Sequence, residues 1–78
     1  MESQMFTYRQ ANDRVGRRVC AAEACLGVPS GTTGRVVKAE EVEAGYYDLV
    51  IEWNLPLRPT PLRDCFSKGE YERYLAEG

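Results

Sequence analysis

Gly27-Val28-Pro29-Ser30-Gly31-Thr32-Thr33-Gly34-Arg35-Val36-Val37 is the stretch that decides the fold of this chain. Glycine and proline crowd its first half, and β-branched residues close its second. Gly31 and Gly34 read as turn positions that permit positive φ, while Val36 and Val37 suit a pleated, half-buried surface. The stretch is the entrance to a strand of a small β-barrel.

The chain around it supports that reading. Upstream, residues 16–21 (Gly-Arg-Arg-Val-Cys-Ala) form a first strand, joined by a loop over residues 22–34 long enough to fold over the barrel's mouth. Downstream, residues 35–42 form a second strand and Glu43-Ala44-Gly45 turns the chain. The clearest alternation follows in residues 46–53: Tyr47, Leu49, Ile51 and Trp53 fall on one face, Tyr46, Asp48, Val50 and Glu52 on the other. The first set is the core, and burying it contributes several kcal/mol at about 25 cal/mol per Å² of apolar area. Trp53 ends the run, where its indole N–H reaches water or a carbonyl.

Pro56, Pro59 and Pro61 then exclude a central strand and make residues 54–61 a stiff surface connection. Residues 62–66 resume a short strand. Ser67-Lys68-Gly69-Glu70 carries the capping-box pattern, in which the Ser67 hydroxyl accepts from the N–H of residue 70 and the Glu70 carboxylate accepts from that of residue 67. A two-turn helix follows over residues 68–76, with Tyr71, Tyr74 and Leu75 laid against the barrel. Residues 1–13 show no clear period and leave three alternatives open: a frayed arm, a short strand, or a segment docking on a partner. The expected organisation is that arm followed by one barrel domain over residues 14–78.

Seventy-eight residues make one small domain. A domain of this size hides only about 60% of the surface its unfolded chain exposes, so disulfides, a metal or self-association are the usual supplements. There is no histidine, and the three cysteines, Cys20, Cys25 and Cys65, are odd in number with no pair at zinc-knuckle or redox spacing. No cofactor or metal site is expected, and the cysteines read as buried, reduced thiols. Self-association remains by elimination. No apolar run has the length of a membrane-spanning helix, and the N-terminus lacks the basic and apolar regions of a secretory signal, so no membrane partner and a cytoplasmic location are expected.

Charge is uneven along the chain. Residues 1–38 carry six basic and three acidic side chains, and residues 39–78 carry four basic and nine acidic ones, giving +3 and −5 within the total of −2. Such asymmetry guides one copy onto another or onto a charged partner.

The Gly-x-x-Val of residues 16–19, the Val-Pro-x-Gly-Thr-x-Gly of residues 28–34, the strand of residues 49–53 and the Phe-Ser-Lys-x-Glu-Tyr-Glu of residues 66–72 together resemble small bacterial SH3-like barrels. That group includes KOW-type ribosomal and transcription modules, the barrels of a photosystem I reaction-centre subunit and of ferredoxin–thioredoxin reductase, and the plasmid-borne type II dihydrofolate reductases. The likeness spans residues 14–76 and also extends to short proteins carried on bacterial mobile elements, integron cassettes among them. It implies a mostly-β fold, an SH3-like barrel of about five antiparallel strands with a short C-terminal helix, and it implies no activity, because folds of this kind host unrelated functions. The reductase pore is built on a Val-Gln-Ile-Tyr segment; this chain instead has Asp48-Leu49-Val50-Ile51-Glu52, whose carboxylates would repel anionic substrates.

Catalysis needs groups with matched pKa values within hydrogen-bond reach, and few are present. A nucleophilic cysteine lacks an evident base. Asp48 and Glu52 share a strand face, yet a solvated outer surface explains them; Glu40, Glu41 and Glu43 read the same way rather than as a cation site. The expectation is therefore a non-catalytic interaction module that binds another protein or another copy of itself, with an enzyme whose site is built at a subunit interface as the last-ranked alternative. Its partner-binding candidates are Tyr46, Val50, Trp53 and Pro56, with Tyr46, Tyr47, Trp53 and Phe66 available to line a groove like those of eukaryotic SH3 domains that take Pro-rich segments. Against this stands plain core packing, favoured for Tyr47 and Phe66 and evenly balanced for Trp53. Val50 is singled out as apolar on the solvent face. The runner-up is a nucleic-acid-binding barrel using Arg14, Arg17, Arg18, Arg35 and Lys38, with Tyr46 or Tyr47 as a stacking platform, against which stands an acidic isoelectric point of about 5.1.

Overall fold

A computed structural model of the chain describes residues 5–24, 27–55 and 60–77. It shows a mostly-β fold: a curled, six-stranded antiparallel sheet with two short helices. The strands are β1 (Phe6–Thr7), β2 (Arg18–Ala21), β3 (Thr33–Glu43), β4 (Tyr46–Trp53), β5 (Leu62–Phe66) and β6 (Leu75–Glu77), and the helices are α1 (Tyr8–Arg14) and α2 (Lys68–Tyr74). The sheet runs β1-β4-β3-β2-β6, with β5 also paired to β4. It does not close into a full cylinder by hydrogen bonds. One margin is β6 and the other is shared by β1 and β5, which pair with successive parts of β4; α2 links β5 to β6, with the Tyr71 ring buried in the core.

The β3–β4 hairpin is the backbone of the molecule. Its two-residue loop, Ala44-Gly45, needs Gly45 at φ +81°, a conformation open to glycine without cost. On β4, Leu49, Ile51 and Trp53 point into the core as their alternation requires, and Val36 of β3 joins them. Val37 is an extra residue in the ladder: Val36 pairs with Ile51 and Lys38 with Val50, so the bulge resets the alternation of β3 from Lys38 onward.

The loop after β2 caps one end of the core, as its length suggests. Val28 is buried in the core, and the segment is tied down by Gly31 N–H donating to the Ala21 carbonyl at 2.7 Å and by Ala21 N–H donating to that of Thr32 at 2.9 Å. Gly31 has the positive φ expected of it, +90°. Gly34 does not. It lies in extended β3 and is there for room: a Cβ on it would stand 2.8 Å from Trp53 Cε3 and 2.9 Å from the Glu52 carbonyl oxygen.

Both ends of the chain depart from expectation. Of the alternatives for residues 1–13, the short strand is realised at β1, where Phe6 pairs with Tyr47 and is 0% exposed. It leads into α1, which was not foreseen and whose Ala11 is buried in the same core. The division at residue 14 thus separates residues that share one core. Helix α1 is opened by a capping box, Thr7 accepting from Gln10 N–H and Gln10 from Thr7 N–H. At the other end the Ser67–Glu70 capping box forms as read, at 3.3 and 3.0 Å. The helix it starts stops at Tyr74, however, and the chain straightens into β6, which pairs with β2. Near this seam Tyr71 donates to Glu77 at 2.6 Å and stands edge-on to Phe6 with ring centroids 5.7 Å apart.

Candidate functional site

One row of side chains crosses the sheet from β2 to β5: Arg18 is paired with Arg35, Arg35 with Glu52, and Glu52 with Arg63. The last pair is a genuine ion pair, with Arg63 Nη2 2.8 Å and Nε 2.9 Å from Glu52 Oε2. Glu52 is thus engaged from the β5 side. Arg18 and Arg35 are exposed, and among the described residues neither makes an ion pair. Two like charges directly opposite on neighbouring strands destabilise a sheet, and the carboxylate opposite Arg35 on its other side, Glu52, makes its ion pair with Arg63.

Those two guanidiniums edge an open cleft of about 750 Å³ at the β3-entry end of the hairpin. Gly34, Glu52 and the buried ring of Trp53 also line it, together with Val37, Leu55 and Pro61, and Thr33 and Asn54 add polar groups. Trp53 is 2% exposed, and its Nε1–H donates to Asp64 at 3.0 Å rather than to water or a carbonyl. It therefore belongs to the core while forming part of the cleft. Two guanidiniums stand at the rim against one carboxylate, Glu52, which is held by Arg63, and the lining is partly apolar, a combination suited to an anionic group attached to an apolar body.

The candidates read from the sequence are divided by the fold. Of the aromatic set, Trp53 lines the cleft; Phe66 is core, as favoured, and Tyr47 packs partly against it. Tyr46 is exposed, but at the far tip of the hairpin. Val50 is a correction. It does lie on the outer face, between Lys38 and Cys65, yet it is only 5% exposed and offers no open apolar contact. Pro56 lies outside the described residues.

The basic set divides too. Arg14 stands over the Phe6 ring at 5.0 Å with its Nε 3.7 Å from Glu77, and Arg17 bridges Asp13 at 2.9 Å and Glu77 at 3.0 Å. Both tie the chain's ends together. Lys38 stands beyond the bulge beside Val50, leaving Arg18 and Arg35 as the pair that shares a cleft.

The cysteine expectation fails at Cys65, which is exposed. Its thiol donates to Glu40 Oε2 at 3.4 Å, and desolvation, the Glu40 hydrogen bond and the negative charges of Glu40 and Asp48 push its pKa up, keeping it protonated and a poor nucleophile. Cys20 is half-buried and free, and Cys25 lies outside the described residues. Of Asp48 and Glu52, Glu52 is held by Arg63; burial, then Glu70 and Glu40, raise the pKa of Asp48. Among the described residues no group of three or more cysteines and carboxylates is placed to hold a metal ion, and no helix is long and apolar enough to cross a membrane.

The pairing of Arg18 with Arg35 was missed in the sequence as a focus, because five basic residues within one half of the chain gave no sign of which two share a cleft. Comparison with protein-family models, with curated proteins and with solved structures gives no match to this chain.

Proposed function

We propose that this protein is a non-catalytic interaction module that holds a carboxylate-bearing, apolar segment of a protein in the Arg18–Arg35 cleft. The observation that carries the reading is the pair of arginines without an ion pair among the described residues, at the rim of a cleft whose apolar lining includes Val37, Leu55 and Pro61. Guanidinium groups grip carboxylates in bidentate fashion, and the neighbouring apolar wall rewards a side chain next to the charge. The specificity differs from that of a Pro-rich groove, since only one of the four aromatic candidates lines the cleft.

The test is selection from a random peptide library displayed on phage, on the wild-type protein and on R18E/R35E in parallel. Sequences pairing Asp or Glu with an apolar neighbour, enriched on the wild type and not on the variant, are the expected result. Equal enrichment on both proteins, or none on either, rules the reading out.

A second reading takes the same two arginines as contacts to nucleic-acid phosphates, favoured by their adjacency and lack of partners. Engagement of Arg14 and Arg17 in ion pairs weighs against it. Retardation of labelled single strands with a log–log salt slope of about −0.7 per phosphate contact, abolished in R18E/R35E, would support it in place of the first.

A further inference from the structure

We infer that the segment received by the cleft is the hairpin tip of a second copy of this chain, in a head-to-tail contact. This rests on the reading of the cleft as a recognition site and names its partner.

The chain carries a segment of the required chemistry. At the tip, Glu40, Glu41 and Glu43 are exposed, and between them Val42 is 48% exposed; Tyr46, paired with Glu43, is 36% exposed. These are an aliphatic and an aromatic side chain held in water beside three carboxylates. Glu41 is partly committed: its Oε2 accepts from Gly45 N–H at 3.2 Å and so helps shape the turn, and Glu40 accepts from the Cys65 thiol. Among the described residues Glu43 makes no side-chain hydrogen bond or ion pair. Acid–apolar–acid is the complement of a cleft with two guanidiniums outside any ion pair among the described residues, beside Val37, Leu55 and Pro61.

Placement makes the contact intermolecular. Cleft and tip lie at opposite ends of one hairpin, about 26 Å apart at roughly 3.3 Å per residue, in a molecule 39 Å long and 22 × 20 Å across. A rigid two-stranded ribbon cannot fold its tip back onto its own root. The basic and acidic ends instead give each copy an axial charge separation that aligns the next one. Two different surfaces meet: exchanged reciprocally by antiparallel copies the contact closes a two-fold dimer, and made one way, end to end, it closes into a ring or grows as a chain.

The test uses two variants of the intact protein, a cleft variant R18E/R35E and a tip variant V42S/E43K, which keeps the turn-shaping Glu41. All four positions are exposed or half-exposed surface, and R18Q/R35Q serves as a neutral form of the cleft variant; circular dichroism confirms each fold. By sedimentation velocity the wild type should gain mass with concentration and return to monomer in high salt. Each variant alone should stay monomeric. An equimolar mixture of the cleft variant with the tip variant should give a dimer that grows no further, because that pair retains a single working tip and a single working cleft.

A wild type that is monomeric at every concentration overturns the inference, as does association of either variant alone, or a mixture that stays monomeric. Nucleic acid co-sedimenting with the assembled fractions would also overturn it, in favour of phosphate contacts. If the wild type is monomeric while phage selection still yields acidic–apolar peptides lost in R18E/R35E, the copy-to-copy contact fails and the cleft stands. If selection yields nothing and the mixture does not dimerise, both fail.

Discussion

Gly34 of β3 lies against Trp53 of β4 so closely that a Cβ in place of its hydrogen would meet the indole Cε3 at 2.8 Å, with the Glu52 carbonyl oxygen at 2.9 Å and Ile51 Cγ2 at 3.1 Å. The neighbours include rigid backbone and a buried ring, so there is little slack to absorb a methyl group. Overpacking of this kind costs about 1–3 kcal/mol. Gly34→Ala should lower the urea midpoint accordingly without changing the slope of the transition, and an unchanged midpoint would show that the strand can part from the indole freely.

The Trp53 indole has one polar atom, and Asp64 across the β4–β5 ladder is its acceptor at 3.0 Å. Removing the acceptor leaves a donor in a part-buried site, a penalty of about 1–3 kcal/mol. Asp64→Ala should destabilise by that order, and Asp64→Asn by less because its amide oxygen still accepts. As Trp53 is the one tryptophan in the chain, its fluorescence reports the change directly. Equal stability of the two variants would contradict the hydrogen bond's role.

Phe6 is fully buried, stands edge-on to Tyr71 and lies under the Arg14 guanidinium. Truncating a buried phenylalanine costs about 3–5 kcal/mol, a large share of what a domain this small possesses. Phe6→Ala should therefore leave the protein partly or wholly unfolded at room temperature, and Thr7→Ala, which removes the α1 cap, should cost about 1 kcal/mol. Native stability in Phe6→Ala would mean that the N-terminal segment is dispensable after all.

Glu77 is held below the usual glutamate range by the Tyr71 hydroxyl and by Arg17 and Arg14, against a smaller opposing effect of burial. A carboxylate with a depressed folded pKa contributes stability above its unfolded value, about 4.3, and loses it as the pH falls through the lower folded value. Glu77→Gln keeps an acceptor for Tyr71 but not the charge, so it should melt lower than the wild type at pH 7, with the difference vanishing in acid. Asp48 has the opposite sign. Its raised pKa means that its charge is unfavourable in the folded state at neutral pH, so Asp48→Asn should melt higher at pH 7 and lose that advantage as the pH falls to the unfolded aspartate value. A pH-independent difference in either variant would contradict the assignment.

Much of the fold was legible because strong local signals and burial agreed. The alternation in Tyr46–Trp53, the β5 run and the Ser67–Glu70 capping box each map onto an element with the expected start. Helix α1 also had a legible signal, Thr7-x-x-Gln10, but it was obscured by the lack of an apolar stripe: only Ala11 is buried on that helix. Strand β6 had none, since three residues directly after a helix become a strand through pairing with β2 and not through their own pattern. The site was harder to read. The bulge at Val37 shifts Lys38 away from Arg35, and the ion pairs of Arg14 and Arg17 depend on contacts with Glu77 some sixty residues away, at 60 positions for Arg17. Composition alone cannot distinguish a spent arginine from a free one.

The most direct measurement is amide chemical-shift mapping by NMR, titrating labelled protein with an acidic–apolar peptide obtained by selection. Shifts should concentrate at residues 18, 33–35 and 52–55 around the Arg18–Arg35 cleft and disappear in R18E/R35E. Shifts confined to the outer face around Val50 and Cys65, or a response that survives in the variant, would contradict the assignment of this cleft as the recognition site.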